Sequence, residues 1–368
     1  MDRVERYREV TFAPAADSLL PPSIRFRHKQ ELMNVVELTR ALVDIESVTG
    51  NELEVGHYLS ALLQDLCDRH QGRLERTEVE PRRFNVFAHW GEPAVTFSTH
   101  IDTVPPFFPS REDEENVWGR GACDTKGIIA SMILAIEGLL EAGTRNIAIL
   151  LVVGEERNSA GAFYAARHPR GSRFLINGEP TENQLALGSK GALRLEVEAR
   201  GRMAHSAYPE LGESAIEKLL DVLADMRRLP LLNDPVLGPS TLNIGTIAGG
   251  RAPNVIPDQA RAEVFIRLVD DGKSTRRMVD ECLRGRAELR EVLSIPALHL
   301  GKLDGYPTTV VAYTTDIPAF GGAWGQPFLI GPGTIHVAHT SEERVPKRQL
   351  LEAIEVYKNM ASELLARS

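Results

Sequence analysis

The chain has few of the features that mark secreted, membrane-spanning or nucleic-acid-binding proteins. It contains three cysteines in 368 residues, Cys67, Cys123 and Cys282, an odd and widely spaced set that does not predict a disulfide framework. No stretch approaches the ~20 consecutive apolar residues of a membrane-spanning helix, and the first residues, Met-Asp-Arg-Val-Glu-Arg, lack the apolar segment of a secretion signal. These absences predict a cytoplasmic protein that does not contact membranes.

An excess of basic residues is also missing. Asp and Glu number 51 against 42 Lys and Arg, which gives a net charge of -9 at pH 7. Proteins that bind nucleic acid through its phosphates need the opposite balance, so no nucleic-acid partner is expected. Hydrophobic residues make up 43% of the chain and charged residues 25%, as in globular proteins, and the length predicts about two domains.

The apolar pattern predicts an α/β protein. Short apolar runs predict buried strands at residues 94–99, 147–153, 173–176 and 328–330. Helical periodicity occurs at residues 31–44, 51–69, 126–141 and 346–366, with Pro346 suited to a first helical position. Strands that alternate with helices predict a mostly parallel sheet flanked by helices.

The pattern changes between about residues 188 and 299. Residues 260–269 alternate strictly between apolar and polar, as expected for a strand with one buried face. Strands at 193–199 and 242–247 and helices at 213–228 and 273–289 complete a predicted β-α-β-β-α unit. We therefore predict an N-terminal extension at 1–30, a first domain at 31–187 and 300–368, and an inserted α+β domain at 188–299.

Ionisable residues follow each of the four predicted strands of the first domain. In chain order they are His100 and Asp102, Glu155 and Glu156, Glu179, and, after a Gly-Pro-Gly turn, His336 and His339. Ligands of parallel sheets bind beyond the carboxyl ends of the strands, so these side chains are expected to lie close together. The adjacent negative charges of Glu155 and Glu156 repel each other unless a cation offsets them, which favours a metal site.

Imidazole and carboxylate ligands without thiolates suit Zn²⁺, Co²⁺ or Mn²⁺. Two such ions about 3.5–4 Å apart can activate water and polarise a carbonyl, and a free glutamate can take the proton of the water. Asp124 could bridge the two ions, although an Asp before a helix is more often an N-cap. Glu155 and Glu156 could also cap a helix, and Glu179, His336 and His339 could be ordinary turn or surface residues. Taken together, the set predicts amide hydrolysis.

Five motifs, in this order, resemble those of the co-catalytic metallo-aminoacylases and carboxypeptidases. This family includes acetylornithine deacetylase, succinyl-diaminopimelate desuccinylase and glutamate carboxypeptidase. The motifs are Ser-Thr-His-Ile-Asp-Thr-Val-Pro, Gly-Arg-Gly-Ala-Cys-Asp-Thr-Lys-Gly, Val-Gly-Glu-Glu, Gly-Glu-Pro-Thr and Ala-His-Thr-Ser-Glu-Glu. The likeness covers about residues 31–366 and is closest to acetylornithine deacetylase.

The resemblance implies a role for each residue of the first domain. His100 and Glu179 would hold one metal ion, Glu156 and His339 would hold the other, and Asp124 would bridge them. Glu155 would be the general base, and Asp102 would be the partner of His100. His339 is favoured over His336 because an acid, Glu342 or Glu343, follows it closely.

The inserted segment is similar to the lid or dimerisation domain of the family, which implies a homodimer. His205, in Met-Ala-His-Ser-Ala-Tyr-Pro, aligns with the histidine that reaches the site of a neighbouring subunit and stabilises the oxyanion. Asn254 and Arg267 fall where the family binds the carboxylate of the substrate. Without the resemblance, His205 would be an ordinary loop histidine and Arg267 an exposed strand residue. Residues 1–30 have no counterpart.

We therefore expect a dinuclear metal-dependent amidohydrolase, similar to acetylornithine deacetylase, that removes a small acyl group from an N-acyl amino acid. The alternatives are desuccinylation of succinyl-diaminopimelate, deacetylation of acetyl-lysine or acetyl-citrulline, and cleavage of dipeptides. A one-metal enzyme and a catalytically inactive relative that binds metal or an amino acid also stay open.

Overall fold

The computed structural model describes residues 34–367, so the predicted extension at 1–30 lies outside the described residues. The helices are α1 (Val35–Val43), α2 (Leu53–His70), α3 (Gly127–Glu141), α4 (Ala160–Ala166), α5 (Ala215–Met226), α6 (Lys273–Leu283), α7 (Ile317–Phe320) and α8 (Lys347–Leu365). Within residues 34–367, none of these helices is both long and apolar enough to cross a membrane. The cytoplasmic location stays a prediction.

The strands vary from two residues to ten. They are β1 (Arg73–Glu80), β2 (Arg83–Trp90), β3 (Val95–His100), β4 (Arg111–Glu112), β5 (Asn116–Trp118), β6 (Ile147–Val152), β7 (Phe174–Asn177), β8 (Leu185–Ser189), β9 (Gly191–Arg200), β10 (Ala204–His205), β11 (Asn233–Asp234), β12 (Gly238–Pro239), β13 (Thr241–Gly249), β14 (Val255–Ile256), β15 (Gln259–Leu268), β16 (Glu288–Ile295), β17 (Leu298–His299), β18 (Thr308–Val311), β19 (Gln326–Leu329) and β20 (Arg344–Pro346).

A nine-stranded sheet forms what we call the main domain. Its order is β1-β2-β6-β3-β7-β19-β8-β17, and β18 pairs with β8. The four central strands β6, β3, β7 and β19 run parallel, whereas antiparallel pairs occur at both sides. Helices cover both faces: Phe97 of β3 contacts Tyr357 of α8, and Leu150 of β6 packs with Ala162 of α4 and Phe320 of α7 on the other face. The predicted α/β class is therefore confirmed.

The parallel centre of this sheet determines where the ionisable residues meet. β3 and β6 are entirely buried, as their apolar sequences predict. His100 at the end of β3 pairs with Val152 at the end of β6, and Asn177 at the end of β7 pairs with Ser98 and Leu329. The segments that follow β3, β6, β7 and β19 therefore leave the sheet along one edge.

A second, fully antiparallel sheet of order β13-β15-β9-β16 forms what we call the inserted domain. Its buried face is the apolar side of the predicted alternation, with Leu195 of β9 and Val264 of β15, and it packs on Leu219 of α5 and Val279 of α6. The other face carries charged side chains. The predicted boundaries of this domain, 188–299, stay a prediction.

Two details of the predicted secondary structure are wrong. The helix predicted to reach residue 289 ends at Leu283, because Arg284 and Gly285 adopt positive φ angles of 45° and 73°. The residues that follow form β16, which pairs with β9. Pro346 is not the first helical residue: its ψ of 128° is extended, because it closes β20 and pairs with Asn116.

Candidate metal centre

His100 is the last residue of β3, and its side chain is buried. Nδ1 lies 2.9 Å from the carbonyl oxygen of Asp102 and 3.6 Å from Oδ1 of the same residue. Nε2 lies 3.1 Å from Oδ1 of Asp124. Burial lowers the pKa of His100, but hydrogen bonds to Asp102 and Asp124 raise it well above its usual range. With a cation bound, the proton would stay on Nδ1, shared with the carbonyl, and Nε2 would present its lone pair to the cation, as a metal-binding imidazole requires. Asp102 therefore holds His100 mainly through its backbone.

The carboxylate of Asp102 instead holds the loop after β6. Oδ1 accepts hydrogen bonds from the N–H groups of Gly154 at 2.9 Å and Glu155 at 3.1 Å. Oδ2 accepts from the N–H of Glu156 at 3.2 Å and the hydroxyl of Thr49 at 2.7 Å. Burial opposes ionisation of Asp102, but His100 and these donors lower its pKa. A buried, ionised carboxylate with four donors thus fixes the loop that carries both glutamates.

The loop itself is a turn rather than a continued strand. β6 ends at Val152, and Gly154 has a φ of +85°, a conformation that a residue with a side chain rarely adopts. Glu155 and Glu156 follow in this turn, so strand alternation does not decide where their side chains point. Both are partly buried, and burial raises the pKa of both carboxyl groups.

Asp124 lies between two imidazole rings in the turn Ala122–Lys126. Its Oδ1 is 3.1 Å from Nε2 of His100, and its Oδ2 is 3.3 Å from Nε2 of His339. The helix α3 starts at Gly127, and Lys126 occupies the N-cap position, so Asp124 does not cap the helix. One carboxylate oxygen for each histidine is the arrangement that a bridging ligand needs.

The turn around Asp124 is held by Glu343, which is 1% exposed. Oε1 of Glu343 accepts hydrogen bonds from the N–H groups of Gly121 at 2.9 Å, Cys123 at 3.3 Å and Asp124 at 3.2 Å. Its Oε2 pairs with the buried guanidinium of Arg120. The sequence left Glu342 and Glu343 as alternatives, and the structure buries Glu343 and exposes Glu342. Glu343 therefore positions the backbone of Asp124.

His339 is the histidine that reaches the cluster. Its Nε2 lies 3.1 Å from Oε1 and 3.0 Å from Oε2 of Glu156. Hydrogen bonds to Asp124 and Glu156 raise the pKa of His339 to about 10. His336 is exposed, and within residues 34–367 its side chain has no hydrogen bond or ion pair. One ligand atom each from His100, Asp124 and Glu156 lie within 4.8 Å of one another.

Glu179 follows β7 and is 4% exposed, and its Oε1 has no hydrogen-bond partner within the described chain. Burial raises the pKa of Glu179, the charge of His100 lowers it, and the charges of Glu155 and Asp124 raise it again. Buried carboxylates that repel one another, with an unpaired oxygen among them, need more positive charge than the two histidines supply. These nitrogen and oxygen donors fit divalent cations such as Zn²⁺, Co²⁺ or Mn²⁺.

A further carboxylate beside the cluster was missed by sequence reasoning. Asp316 directly precedes α7 and is 1% exposed, and within residues 34–367 no ion pair engages its carboxylate. Burial raises the pKa of Asp316 to about 7, against the opposing charge of His100. The only sequence signal was an Asp before Ile-Pro, which indicates a helix start and not a site.

Two candidate residues of the inserted domain lie together on its surface. The two-residue strands β10 and β14 pair, and the N–H of Ser206 donates to the carbonyl oxygen of Asn254 at 3.0 Å. Nδ1 of His205 accepts from the N–H of Ala207 at 3.1 Å, which leaves Nε2–H as an exposed donor. Among the described residues, no hydrogen bond or ion pair joins His205 or Asn254 to the metal centre.

Arg267, the third candidate of this domain, lies elsewhere. It is eight residues beyond Gln259 on β15, about 27 Å along the strand from the end near β14. It pairs with Ala192 at the start of β9, and its guanidinium lies 4.7 Å from the ring centre of Phe265. Burial lowers the pKa of Arg267. Within one chain, the structure therefore separates Arg267 from His205 and Asn254.

Comparison with known proteins identifies the inserted segment. The model of a peptidase dimerisation domain matches residues 187–288. A protein of Schizosaccharomyces pombe described as containing a peptidase M20 domain is 37% identical over 337 residues, which cover 89% of this chain and 84% of that protein. A probable carboxypeptidase of Aspergillus oryzae is 33% identical over 395 residues, covering 94% and 92%.

Solved structures show the same fold at low sequence identity. Aminopeptidase PepT of Bacillus cereus has a TM-score of 0.76 at 19% identity, over 90% of this chain and 98% of its own. An M20 family metallo-carboxypeptidase of Sulfolobus solfataricus has a TM-score of 0.67 at 14% identity, over 89% and 98%. A dinuclear metal-binding M20 peptidase of Bacillus subtilis has a TM-score of 0.64 at 16% identity, over 90% and 97%. Given relatives above 30% identity over most of its length, the chain belongs to the M20 family of metallopeptidases.

Proposed function

We propose that the protein is a dinuclear metal-dependent amide hydrolase whose substrate releases an amino acid with a free carboxylate. One observation carries the proposal: Asp124 lies between His100 and His339, and His339 also contacts Glu156, with Glu155 beside them on a fixed loop. A protein that merely binds metal does not need the unengaged Glu155. The site therefore supports catalysis better than storage or binding alone.

The roles are those that the resemblance implies, and the contacts of Asp124 and His339 support them. His100 and Glu179 would hold one cation, Glu156 and His339 would hold the other, and Asp124 would lie between them. When bound, the cations polarise the amide carbonyl and acidify water. Glu155 takes the proton of the attacking water and passes it to the departing nitrogen. The four hydrogen bonds to Asp102 keep the Glu155 loop in place during both transfers.

The inserted domain completes the site from a second subunit. His205 presents an exposed Nε2–H that no residue of its own described chain accepts, and its segment matches a dimerisation domain. In a homodimer, this donor would stabilise the negative charge that develops on the carbonyl oxygen. Asn254 and Arg267 would bind the carboxylate of the departing amino acid. Because they lie far apart in one chain, they would come from different subunits.

Two substrate classes fit this reaction. The motifs resemble those of acetylornithine deacetylase and favour small N-acyl amino acids. The names of the relatives, probable carboxypeptidase and M20 metallo-carboxypeptidase, favour short peptides instead. Both classes present the same bond, an amide at the α-nitrogen of a residue that bears a free carboxylate.

The test is to load the protein with Zn²⁺ or Co²⁺ and to measure hydrolysis of a panel of substrates. The panel holds N-acetylornithine, N-acetyl and N-succinyl amino acids and dipeptides, each also as its C-terminal amide. We expect cleavage of at least one substrate class, with a strong preference for the free carboxylate. Chelation of the metal should abolish the activity, and elemental analysis should find two metal ions per chain. A single bound ion would contradict the dinuclear site, and equal cleavage of the amides would contradict carboxylate recognition.

A further inference from the structure

A pocket with a cavity volume of about 310 Å³ adjoins the metal centre on one side of Glu156. Its lining consists of Val48, Thr49, Val104, Pro105, Glu156 and Arg157. This volume is at the small end of the range for ligand sites, so the pocket suits one substituent of a substrate rather than a whole peptide. Neither the proposed hydrolysis nor the motifs assign it an occupant.

The pocket is built on the same frame as the catalytic loop. Thr49 donates its hydroxyl to Asp102 at 2.7 Å, and Glu156 donates its N–H to Asp102 at 3.2 Å. The N–H of Thr49 also bonds the carbonyl oxygen of Thr103 at 3.1 Å, and Val48 forms an isolated bridge with Thr103. Two of the three wall segments therefore bond to one buried carboxylate, and the third is joined to the first through Thr103. A group held in this pocket keeps a constant position relative to Glu155.

Arg157 supplies the only positive charge in the lining. It is exposed, and within residues 34–367 its side chain has no hydrogen bond or ion pair. Arg40 and Arg83 of the same domain both pair with carboxylates. The negative charge of Glu156, the only acid in the lining, is already engaged by His339. The pocket thus combines apolar walls with an unpaired guanidinium, a group suited to bidentate carboxylate recognition.

We propose that this pocket binds a second carboxylate of the substrate and that Arg157 selects it. This carboxylate would be distinct from the one beside the departing nitrogen, and the inference rests on the proposed amide hydrolysis. A short aliphatic stem would lie against Val48, Val104 and Pro105, with the carboxylate on Arg157. The second carboxylate belongs either to a dicarboxylic acyl group or to an acidic amino-acid side chain.

Two matched substrate pairs test the selection and distinguish the sources. N-acetylglutamate is compared with N-acetylglutamine, and N-succinyl-alanine with its analogue whose distal carboxylate is an amide. The wild type should prefer the acid in one pair by about tenfold in kcat/KM, as expected for a charge-assisted bidentate contact. The pair that shows the preference identifies the source.

Arg157→Gln should abolish this preference through KM while kcat and metal content stay unchanged, because the contact is remote from the bond that breaks. Arg157→Lys should keep part of the preference for the acid, because lysine retains the positive charge but lacks the planar guanidinium group that can form two parallel hydrogen bonds. Arg73→Gln is the matched control: Arg73 is equally exposed and lies on β1, at the end of the sheet opposite the metal centre. It should behave as the wild type.

Equal losses for acid and amide in both pairs would overturn the inference, because they would indicate a general role for Arg157. The inference would also be overturned if the wild type cleaved the acid and the amide of each pair equally well. Titration calorimetry of the metal-loaded protein with glutamate against glutamine, and succinate against its monoamide, gives a readout that needs no turnover. Acid preference in calorimetry without hydrolysis of any probe would overturn the proposed hydrolysis and leave the pocket assignment intact.

Discussion

The two domains place their charged residues in opposite ways. In the main domain, acids are buried and held by many donors: Asp102 is 0% exposed and accepts four hydrogen bonds, and Glu343 is 1% exposed and accepts from three backbone N–H groups. In the inserted domain, the charges lie on the open face of the sheet. The ion pair of Arg194 and Glu263, for example, leaves 45% and 40% of the two side chains exposed.

The difference supports the proposal that one chain alone brings the candidate metal ligands together and that a second chain supplies the remaining groups. Buried carboxylates at the edge of a parallel sheet are positioned by the backbone that surrounds them, so the metal centre forms within the main domain. Exposed groups such as His205 and Asn254 have a direction but no partner in their own described chain. Under the proposed function, they act only at the site of a second subunit.

The largest expected effect is on catalysis in the main domain. Glu155→Gln should lower kcat by about 10³-fold, because the amide cannot take the proton of the attacking water. Both metal ions should remain, since Glu155 is not among the proposed ligands. Steady-state kinetics with elemental analysis measures both quantities, with Glu182→Gln, an exposed position, as control. Unchanged turnover would assign the base to another residue.

The next effect concerns stability. Arg120→Met leaves the buried carboxyl group of Glu343 without its positively charged partner, which should lower the free energy of unfolding by about 3–5 kcal/mol. Denaturant unfolding measures this change. Adding Glu343→Gln to the same chain should restore part of the loss, because the amide oxygen still accepts from the turn. A loss below about 1 kcal/mol would place this pair with surface ion pairs.

The third prediction asks whether the inserted domain acts across subunits. His205→Ala should lower kcat by about 10²-fold, as expected for loss of one oxyanion donor. Mixing this variant with Glu155→Gln should restore about a quarter of wild-type activity, because half of the randomly formed dimers would contain one intact site of two. The absence of rescue, with subunit exchange demonstrated by differently tagged chains, would show a site completed within one chain.

The smallest effect belongs to the open sheet face. Arg194→Gln should change the free energy of unfolding by less than about 1 kcal/mol and leave kcat unaltered, because solvent screens the exposed pair with Glu263. The same denaturant experiment measures it beside Arg120→Met. A cost as large as that of Arg120→Met would mean that this face is covered by another surface in solution.

The elements that could be predicted were those with strong local signals. The short apolar runs of β3 and β6 indicate strands that are buried on both faces. The alternation of β15 indicates a strand with one buried face. The edge strand β1, Arg73–Glu80, is mostly polar, and its pairing with β2 gave no comparable signal. The predicted helix at 273–289 includes the first two residues of β16, because a helix end set by Arg284 depends on backbone conformation rather than on apolar periodicity.

For the site, residue types indicated a metal centre, and the resemblance of the motifs to a known family singled out His100, Asp124, Glu156 and His339. The structure brings these four into contact. Asp316 could not be found in this way. A buried carboxylate of this kind is recognised only when the segments around it are folded and bury it. The pocket beside Arg157 is likewise a property of three segments that are distant in sequence.

By itself, the sequence determined the chemical inventory of this protein: acids and imidazoles after four strands, and an alternating segment that builds a second sheet. Only the tertiary structure decided which atom of each group does what. Asp102 holds His100 with its carbonyl and the Glu155 loop with its carboxylate, and Glu343 rather than Glu342 holds the turn of Asp124. Hydrogen bonds depend on distance and direction, and both follow from how separate segments pack together.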